Sequence, residues 1–542
     1  MKRMLVLALA AIILASSAAC SPSSKENQTN VQTTSVVTTS TTDPTEEAKV
    51  SFPLKETLTI KAMYSDIGGC KPEENKWIEQ YLKETNVKIE WIKVENAEKF
   101  NILITSGGYG DVMMGSIPNV DMIPKLSASG TIIPLNEHFD ADVTPNIMKI
   151  FEANKKLRGI LTSPDGKIYT LFRFTDLPQN YLESPFWVNK EWLANVGKNV
   201  PTTIDELTDV LRAFKSGDPN KNGKPDEIPL LTYSADAYSH FEALLGMYGI
   251  PTKDNALDNY VMVKNGKVLF VPTLPAYKEA LKYFSSLYKE GLIWNEAFTA
   301  TAETFTSKLN SETTSFGLIN IKNVPQNVNQ YECMLPPKVP GYEPLWYYHP
   351  GSLGAKNVFA VFDKCSDIKT VMAFIDGFYD FDNSVKIMYG LPGEGIIEQK
   401  EGMYKFVTPP EGKSQSQLTN ELSAYISFSP PSAILRDKFG TGVELSETLS
   451  KLLVAYNMYE PFINKEVWPR PYFSSEATSK ANELRTDIFN TVTKYKAMWI
   501  SGQSSVDADW EKFNNELKSM GLDEYIGILQ SSYDIYNNAV GK

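Results

Sequence analysis

Strand-like and helix-like segments alternate from residue 57 onward. Residues 57–64 alternate apolar and polar side chains as a strand does, residues 76–85 have helical periodicity, and residues 87–94 are again strand-like. Strands separated by helices form largely parallel sheets with helices on both faces. Because ligands of such sheets bind beyond the carboxyl ends of the strands, the polar turn at residues 65–69 is predicted to form one rim of a pocket.

The same alternation returns between residues 183 and 248. Residues 183–188 and 227–232 are predicted strands, and Thr202 or Thr203 with Glu206 forms an N-terminal capping pair for a helix at 203–215. The last third of the chain is predicted to be mostly helical. A chain of 542 residues with 42% apolar and 22% charged residues is globular and too long for one core, so we expect an α/β protein of two or more lobes.

The N-terminus has the pattern of an export signal. Lys2 and Arg3 precede an apolar stretch at 4–14, and small residues lead to Cys20. This arrangement resembles a bacterial lipoprotein signal, although Ser17 stands where such signals usually carry leucine. The resemblance implies that residues 1–19 are removed, that the Cys20 thiol is lipidated, and that the protein stays on the outer face of the cell membrane.

The residues after Cys20 are rich in serine and threonine and lack apolar mass, so residues 20–54 are predicted to form a disordered tether. The alternative is ordinary secretion, with cleavage near Ala18 or Ala19 and a free thiol at Cys20.

Charge and cysteine usage exclude some functions. The net charge is −12, or −14 once Lys2 and Arg3 are removed with the signal, which argues against a nucleic-acid partner and favours neutral or cationic ligands. Beyond Cys20, the remaining cysteines Cys70, Cys333 and Cys365 permit at most one internal disulfide, and unpaired thiols are the favoured alternative.

An Asp/Asn/Gly-rich loop lies between the helix ending near residue 215 and the following strand. Counted from Asp218, oxygen-bearing side chains stand at positions 1, 3, 5 and 9, with Gly223 at position 6. Calcium takes six to eight oxygen ligands, which a tightly turned loop of this kind can supply. The loop is not an EF-hand, because Pro229 occupies position 12. From the residues alone, a surface turn without metal remains an equal alternative.

Several segments closely resemble the extracellular solute-binding proteins of bacterial ABC importers, in the long lipoprotein branch associated with oligosaccharide uptake. The segments, which agree in order and spacing, are 186–193 (FWVNKEWL), 201–207 (PTTIDEL), 214–229 (FKSGDPNKNGKPDEIP), 498–502 (MWISG), Asp509-Trp510, 517–525 (LKSMGLDEY) and 530–536 (QSSYDIY). The resemblance covers essentially the whole chain beyond the tether.

This resemblance implies a structural calcium ion in the loop, held by Asp218, Asn220, Asn222, Lys224, Asp226 and Glu227. It also implies two α/β lobes that close on ligand like a hinge, each a mostly parallel sheet flanked by helices. The first lobe is expected to contain residues 55–173 and 341–406, and the second 174–340 and 407–542. The crossing at 169–175 is a candidate hinge.

Sugar-binding residues are expected among aromatic side chains near polar turns, because sugar C–H groups stack on rings while hydroxyls need polar partners. Packing in a core or rim is the alternative for each. Residues 346–349 (Trp-Tyr-Tyr-His) are favoured because they precede Pro350 and Gly351, as in a loop. The candidates are Tyr64, Asp66, Trp294, Asn295, Trp346, Tyr347, Tyr348, Glu394, Trp468 and Arg470.

The function implied by the resemblance is capture of an oligosaccharide by a monomeric receptor and delivery to an ABC permease, without catalysis. One alternative is a secreted lipoprotein glycoside hydrolase, which needs only a pair of carboxylates. The chain contains neither HExxH nor GxSxG, and it has only three histidines. A receptor for peptides or other small metabolites is a further alternative.

Overall fold

The structure is a computed structural model. It describes residues 49–65, 71–115, 122–176, 182, 184–233, 241–251, 260–309, 316–321, 328–347, 353–408, 410, 418, 421, 430–444 and 447–541. Cys20, Asp66, Cys70, Tyr348 and His349 lie outside these residues, as does the whole of the predicted signal peptide. Among the helices that the structure describes, none combines the length and the apolar character needed to cross a membrane.

The strands are short and are distributed along the whole chain. They are β1 Leu58–Ser65, β2 Val87–Val94, β3 Val112–Met114, β4 Leu171–Thr175, β5 Phe186–Asn189, β6 Ile228–Leu231, β7 Val261–Lys264, β8 Lys267–Phe270, β9 Phe316–Asn320, β10 Tyr331–Met334, β11 Leu353–Val361, β12 Ile397–Lys400, β13 Met403–Phe406 and β14 Ser432–Ile434.

The helices fill the intervals and most of the C-terminal third. They are α1 Lys76–Thr85, α2 Ala97–Ser106, α3 Ile123–Ala128, α4 Pro145–Ala153, α5 Lys155–Leu161, α6 Lys190–Asn195, α7 Ile204–Ser216, α8 Pro275–Lys289, α9 Ala302–Leu309, α10 Ile368–Asp376, α11 Phe381–Tyr389, α12 Glu447–Tyr459, α13 Ser475–Ile500, α14 Val506–Ser519 and α15 Leu522–Ala539, with a longer 3₁₀ helix at Phe241–Tyr248.

Two sheets organise the molecule. The first has the order β14–β4–β11–β3–β1–β2, and only β11 runs against the other strands. The second has the order β10–β5–β9–β6, and only β5 is reversed. Each sheet is therefore mostly parallel in strand direction, as the sequence predicts, and the α/β fold class is confirmed.

Each sheet has its own apolar core. Around the first, Phe172 and Phe359 pack with Phe151 of α4. Around the second, Phe186 and Phe214 belong to a larger core that also contains the buried side chains of α13–α15. Because each lobe has its own core, the two lobes can move relative to each other as rigid bodies.

The limits of predicted elements agree closely with the structure where capping and periodicity coincide. Thr203 caps α7 by accepting a hydrogen bond from the Glu206 amide at 3.2 Å, and Glu206 accepts one from the Thr202 amide at 2.7 Å. This reciprocal arrangement satisfies backbone N–H groups that otherwise lack partners at a helix start. The predicted helix is thus confirmed together with the reason for its start.

The pairing of β14 differs from the predicted lobe limits. Residues Ser432 to Ile434 pair in parallel with Arg173 to Thr175. This segment therefore belongs to the first sheet, although the predicted boundary at residue 407 places it in the second lobe. A three-residue strand carries little sequence signal of its own, and its place is decided by a partner more than 250 residues away in the chain.

Cys333 and Cys365 are free thiols. Burial raises the pKa of Cys333 to about 12 and that of Cys365 to about 11, so neither ionises near neutral pH. These two cysteines do not form a disulfide with each other, in agreement with the favoured alternative. Cys70 lies outside the described residues.

Candidate ligand-binding site

The chain passes between the two sheets at one edge of the first sheet. β4 ends at Thr175 and is followed by β5 of the second sheet, while β10 of the second sheet is followed by β11 of the first. Leu353 at the start of β11 lies opposite Phe174 at the end of β4. This edge also carries the carboxyl ends of the parallel strands, where α/β sheets bind ligands.

A third passage joins the lobes near the C-terminal helices. Trp468 is buried in the core of the second lobe, whereas Tyr472, four residues later, is buried with residues that cover the first sheet. Residues 468–472 therefore cross between the lobes. Most of the predicted hinge at 169–175 forms strand β4 of the first sheet, so the crossing to β5 begins after Thr175.

Thr170, Asn357 and Tyr472, which we call the buried polar cluster, come together beside strands β4 and β11 of the first sheet. The Thr170 hydroxyl donates to Asn357 Oδ1 at 2.9 Å, and the Tyr472 hydroxyl donates to the same oxygen. All three residues are buried. The cluster therefore ties the crossing segment at 468–472 to the first sheet, where Thr170 precedes β4 and Asn357 lies within β11.

One cation, Lys356, lies beside the buried polar cluster. Lys356 Nζ donates to the Arg470 carbonyl at 2.7 Å and lies 4.0 Å from the centroid of the Tyr472 ring. Burial, and to a smaller extent the nearby Arg470 charge, lower the pKa of Lys356 to about 7. Arg173 on β4 pairs with Ala355, so its side chain lies on the other face of the sheet, and its Nε is buried without a hydrogen-bond partner.

The second sheet contributes buried polar groups at the carboxyl ends of its adjacent parallel strands. Thr232 follows β6, and Asn320 ends β9; both are fully buried. The Thr232 hydroxyl has no hydrogen-bond partner, and the ring of Tyr233 stacks on Phe305 at 5.2 Å. Polar groups and an aromatic pair at strand ends have the character of a saccharide site.

The aromatic segment 346–349, which the sequence favours for sugar binding, begins in the core of the second lobe. The Trp346 side chain is 0% exposed, and its ring lies 5.6 Å from that of Phe186 and 5.1 Å from that of Tyr459. A Cβ added to Gly246 would lie 2.6 Å from the indole, so backbone and ring are in direct contact. Tyr347 is also buried. In this conformation the indole packs and does not face a cleft, which favours the alternative that the sequence left open.

Three other predicted aromatics are buried as well. Tyr64 makes an edge contact with Trp91 at 5.6 Å. The ring centroid of Trp294 lies 6.5 Å from that of Phe305, which belongs to the aromatic pair at the end of β6. The ring of Trp468 stacks on that of Tyr533 with a centroid distance of 6.4 Å. Of the three, Trp294 is the one that the structure brings near the strand ends of the second sheet.

The other residues predicted to contact the sugar do not lie together in the structure. Asn295 is exposed, and its carbonyl accepts a hydrogen bond from Tyr288. Glu394 is exposed and forms an ion pair with Lys76 at 2.6 Å. Arg470 lies in a crossing segment with a φ of 51°, and its carbonyl is the acceptor for Lys356. Asp66 and Tyr348 lie outside the described residues.

Arg173 and Lys356 were missed from the sequence, although a signal exists. Arg173 interrupts the otherwise apolar run 171–174, and Lys356 lies three residues into the strand β11. A charged residue inside a predicted buried strand needs a partner or a ligand.

The predicted calcium loop is tightly turned. Asp218 accepts hydrogen bonds from the amides of Asn222 at 3.0 Å and Gly223 at 3.1 Å. Gly223 has a φ of 71°, a conformation that favours glycine. Asn222 Oδ1 accepts from the Lys224 amide at 2.8 Å. The predicted oxygens therefore surround one short turn.

The donor set fits a hard cation. One carboxylate oxygen of Glu227, Oε1, is buried without a hydrogen-bond partner, and burial raises the pKa of this carboxyl group. The amides of Asn220 and Asn222 instead donate to Asp226 Oδ1 at 3.1 and 3.0 Å and hold its pKa below the usual range. A cation at this point would satisfy Glu227 and all the other oxygens together. Among the described residues no three His, Cys, Asp or Glu side chains already converge as a metal site.

The family now follows from comparison with known proteins. The sequence pattern that defines the bacterial extracellular solute-binding proteins matches residues 71–379, more than half of the chain. The chain is a bacterial extracellular solute-binding protein. Its resemblance to this family, expected from the loop at 214–229 and the other segments, is confirmed.

This solute-binding protein is 28% identical over 508 residues to the fructooligosaccharide ABC transporter substrate-binding protein FusA of Streptococcus pneumoniae serotype 4, covering 90% of this chain and 92% of FusA. The structure of a FusA EF-hand mutant in complex with fructo-nystose is similar with a TM-score of 0.73 and 26% identity, covering 89% of this chain and 100% of that chain.

Two further relatives extend the comparison. An HMO-binding, ABC-transporter-associated solute-binding protein from Bifidobacterium longum infantis has a TM-score of 0.77 at 24% identity, over 89% of this chain and 99% of that chain, which shows a shared fold. Lipoprotein LipO of Bacillus subtilis is 29% identical over 245 residues, covering 43% of this chain and 45% of LipO. The two-lobed binding-protein fold predicted from the sequence is thus confirmed.

Proposed function

We propose that this solute-binding protein is the membrane-anchored receptor of an ABC importer and that it captures an oligosaccharide outside the cell. The observation that supports this most strongly is the likeness to FusA over 90% of the chain. The protein acts as a monomer and delivers its ligand to the permease without altering it.

The geometry suggests how capture proceeds. The chain crosses between the lobes after β4, before β11 and at residues 468–472, and these crossings permit the lobes to open and close about one edge. A ligand held from both sides favours the closed state because its contacts with the two lobes exist together only there. On the second lobe, Thr232, Asn320 and Trp294 lie where these contacts are expected.

The N-terminal pattern ending at Cys20 supports the proposed anchor, since the acylated cysteine would fix the receptor beside its permease. Mass spectrometry of protein from membranes tests this. A mature N-terminus at Cys20 with a diacylglyceryl mass is expected, and substitution of Cys20 by alanine releases the protein into the medium. A free thiol on a secreted protein would contradict the anchor.

Oligosaccharide capture is tested by thermal-shift screening of purified protein against neutral and acidic oligosaccharides and against peptides of similar mass. Ligand that binds only the folded state raises the melting temperature. Stabilisation by an oligosaccharide, with the sugar recovered intact after incubation, is expected. Stabilisation by peptides alone, or appearance of cleaved sugar, would contradict the proposal.

We also propose that the loop binds Ca²⁺ through the side chains of Asp218, Asn220, Asn222, Asp226 and Glu227 and the carbonyl of Lys224. The ion locks the connection between α7 and β6 and takes no part in chemistry. Chelation is expected to lower the melting temperature, and Ca²⁺ to restore it.

The substitution Glu227→Gln keeps the shape of the buried side chain but removes its charge, so it should weaken the response to Ca²⁺. The matched control Glu206→Gln lies on the same helix–loop unit, at the helix start, and should respond as the unmodified protein does. Equal melting temperatures with chelator and with Ca²⁺ would remove the metal assignment.

A further inference from the structure

Arg173 lies near the edge of the first sheet at which ligands are expected. It is two residues from Thr175, where β4 ends and the chain crosses to the second lobe. In an α/β sheet the carboxyl ends of the parallel strands face the bound ligand. An arginine at this position is therefore within reach of a ligand if its side chain extends toward the strand end.

The neighbouring helix α11 shows in which direction the Arg173 side chain extends. Tyr379, just before α11, donates to the backbone carbonyl that precedes Arg173 at 2.6 Å. Near the other end of the helix, the Thr175 hydroxyl lies 3.9 Å from the Met388 sulfur. The helix and β4 thus run in the same direction, and Tyr389 at the end of α11 is level with the end of β4. Because Tyr389 interacts with the Arg173 charge, the arginine extends toward the carboxyl end of its strand.

The guanidinium group of Arg173 has no anionic partner. Its Nε is buried without a hydrogen bond, and no carboxylate among the residues described by the structure forms an ion pair with it. Tyr389 supplies no counter-charge, because burial raises the pKa of its hydroxyl group and keeps it neutral. Arg173 as a whole is only partly buried, so the tip of the guanidinium group stays open to a ligand.

Such an arrangement is costly for the ligand-free protein. A cation that is withdrawn from water without an opposite charge or acceptors destabilises the folded state. The guanidinium group carries five N–H donors in a rigid fork and stays charged. Adjacent hydroxyl oxygens of a sugar ring are acceptors that suit this fork, and they would replace the acceptors that the protein does not provide.

We propose that Arg173 is a ligand-binding residue of the first lobe and that it donates hydrogen bonds to hydroxyl oxygens of the captured oligosaccharide. This inference rests on the proposed function and names a residue that recognises the sugar. The second lobe has polar groups of its own at its strand ends, Thr232 and Asn320. A sugar between the lobes is then held from both sides.

The substitution Arg173→Met separates sugar binding from a structural role, because it keeps an unbranched side chain and removes the charge and the donors. Affinity is measured by calorimetry with fructo-nystose and with neutral oligosaccharides of glucose and galactose. It should fall about 10- to 100-fold for the sugar that the unmodified protein binds. The unfolding free energy of the ligand-free variant, measured in urea, should be unchanged or higher, because an uncompensated cation is removed. Lower stability with unchanged affinity would overturn the inference.

A second variant and a control complete the test. Arg173→Lys keeps the charge but lacks the fork, so affinity should fall here too, and it serves if Arg173→Met does not fold. Arg158→Met is the matched control. Arg158 also lies beside an aromatic residue, 6.0 Å from the ring centroid of Phe151, but it is exposed and belongs to α5, which precedes the amino end of β4. The control should bind as the unmodified protein does, and equal losses in Arg158→Met and Arg173→Met would contradict the contact.

Failure of this inference is distinguishable from failure of the proposed function. If the unmodified protein binds an oligosaccharide and both Arg173 variants bind it equally well, only the role of Arg173 is wrong. If the unmodified protein binds no oligosaccharide, the proposed function fails and this inference fails with it.

Discussion

Substitution of Trp346 by alanine separates a packing role from a sugar-stacking role. The indole is fully buried between Phe186 and Tyr459 and touches the backbone at Gly246. Truncation of a buried tryptophan costs about 3–5 kcal/mol of unfolding free energy, and the loss of two ring pairs places Trp346→Ala toward the upper end of that range.

Urea unfolding of the ligand-free protein, followed by circular dichroism, measures this loss. Trp91→Ala is the control, since Trp91 is partly exposed and packs at the edge of Tyr64, so a smaller loss is expected. The affinity of folded Trp346→Ala protein for its oligosaccharide should change little.

A small loss of stability together with a loss of sugar binding would contradict a packing role for Trp346. If Trp346→Ala lowered the unfolding free energy by less than about 1 kcal/mol and abolished sugar binding, the indole would have to face the ligand, as the stacking hypothesis requires.

Three further predictions concern buried groups. Gly246→Ala places a Cβ 2.6 Å from the Trp346 ring and should cost about 1–3 kcal/mol by overpacking; unchanged urea unfolding would contradict the contact. Burial raises the pKa of Asp376 from 3.8 to about 6, so the folded state binds the extra proton between these values and the unfolding free energy should fall by about 2 kcal/mol as pH rises from 4 to 6; Asp376→Asn should lack this fall, and identical pH profiles would disprove the shift. Lys496 and Glu242 form a buried ion pair at 2.9 Å, so Lys496→Met alone should cost about 3–5 kcal/mol and the double variant with Glu242→Met much less; additive losses in the cycle would contradict their coupling.

Much of the fold was predictable because local signals agree with it. The helix Lys76–Thr85 has the limits predicted from periodicity, and it starts at a side-chain cap, Asn75. By contrast, the segment Phe241–Tyr248 has a helical pattern but forms a 3₁₀ helix. Local periodicity indicates a helix there and does not distinguish the two hydrogen-bonding schemes.

The candidate site was less predictable because burial is a long-range property. Trp346 precedes a Pro-Gly turn in the sequence, yet its ring enters a core built from residues 186 and 459. Arg173 and Lys356 are 183 positions apart, and only the pairing of β4 with β11 brings them to adjacent strands. The supply of aromatic residues in the sequence suggested a sugar site. Only the strand order shows that a polar residue such as Thr232 lies at the edge of the second sheet.

Isothermal titration calorimetry with oligosaccharides, combined with mass spectrometry of the recovered sugar, decides whether the protein captures its ligand intact. We expect saturable binding of one oligosaccharide per protein molecule and return of the sugar unchanged. Absence of binding heat with every oligosaccharide, or recovery of shortened sugar, would contradict an importer receptor that captures its ligand without altering it.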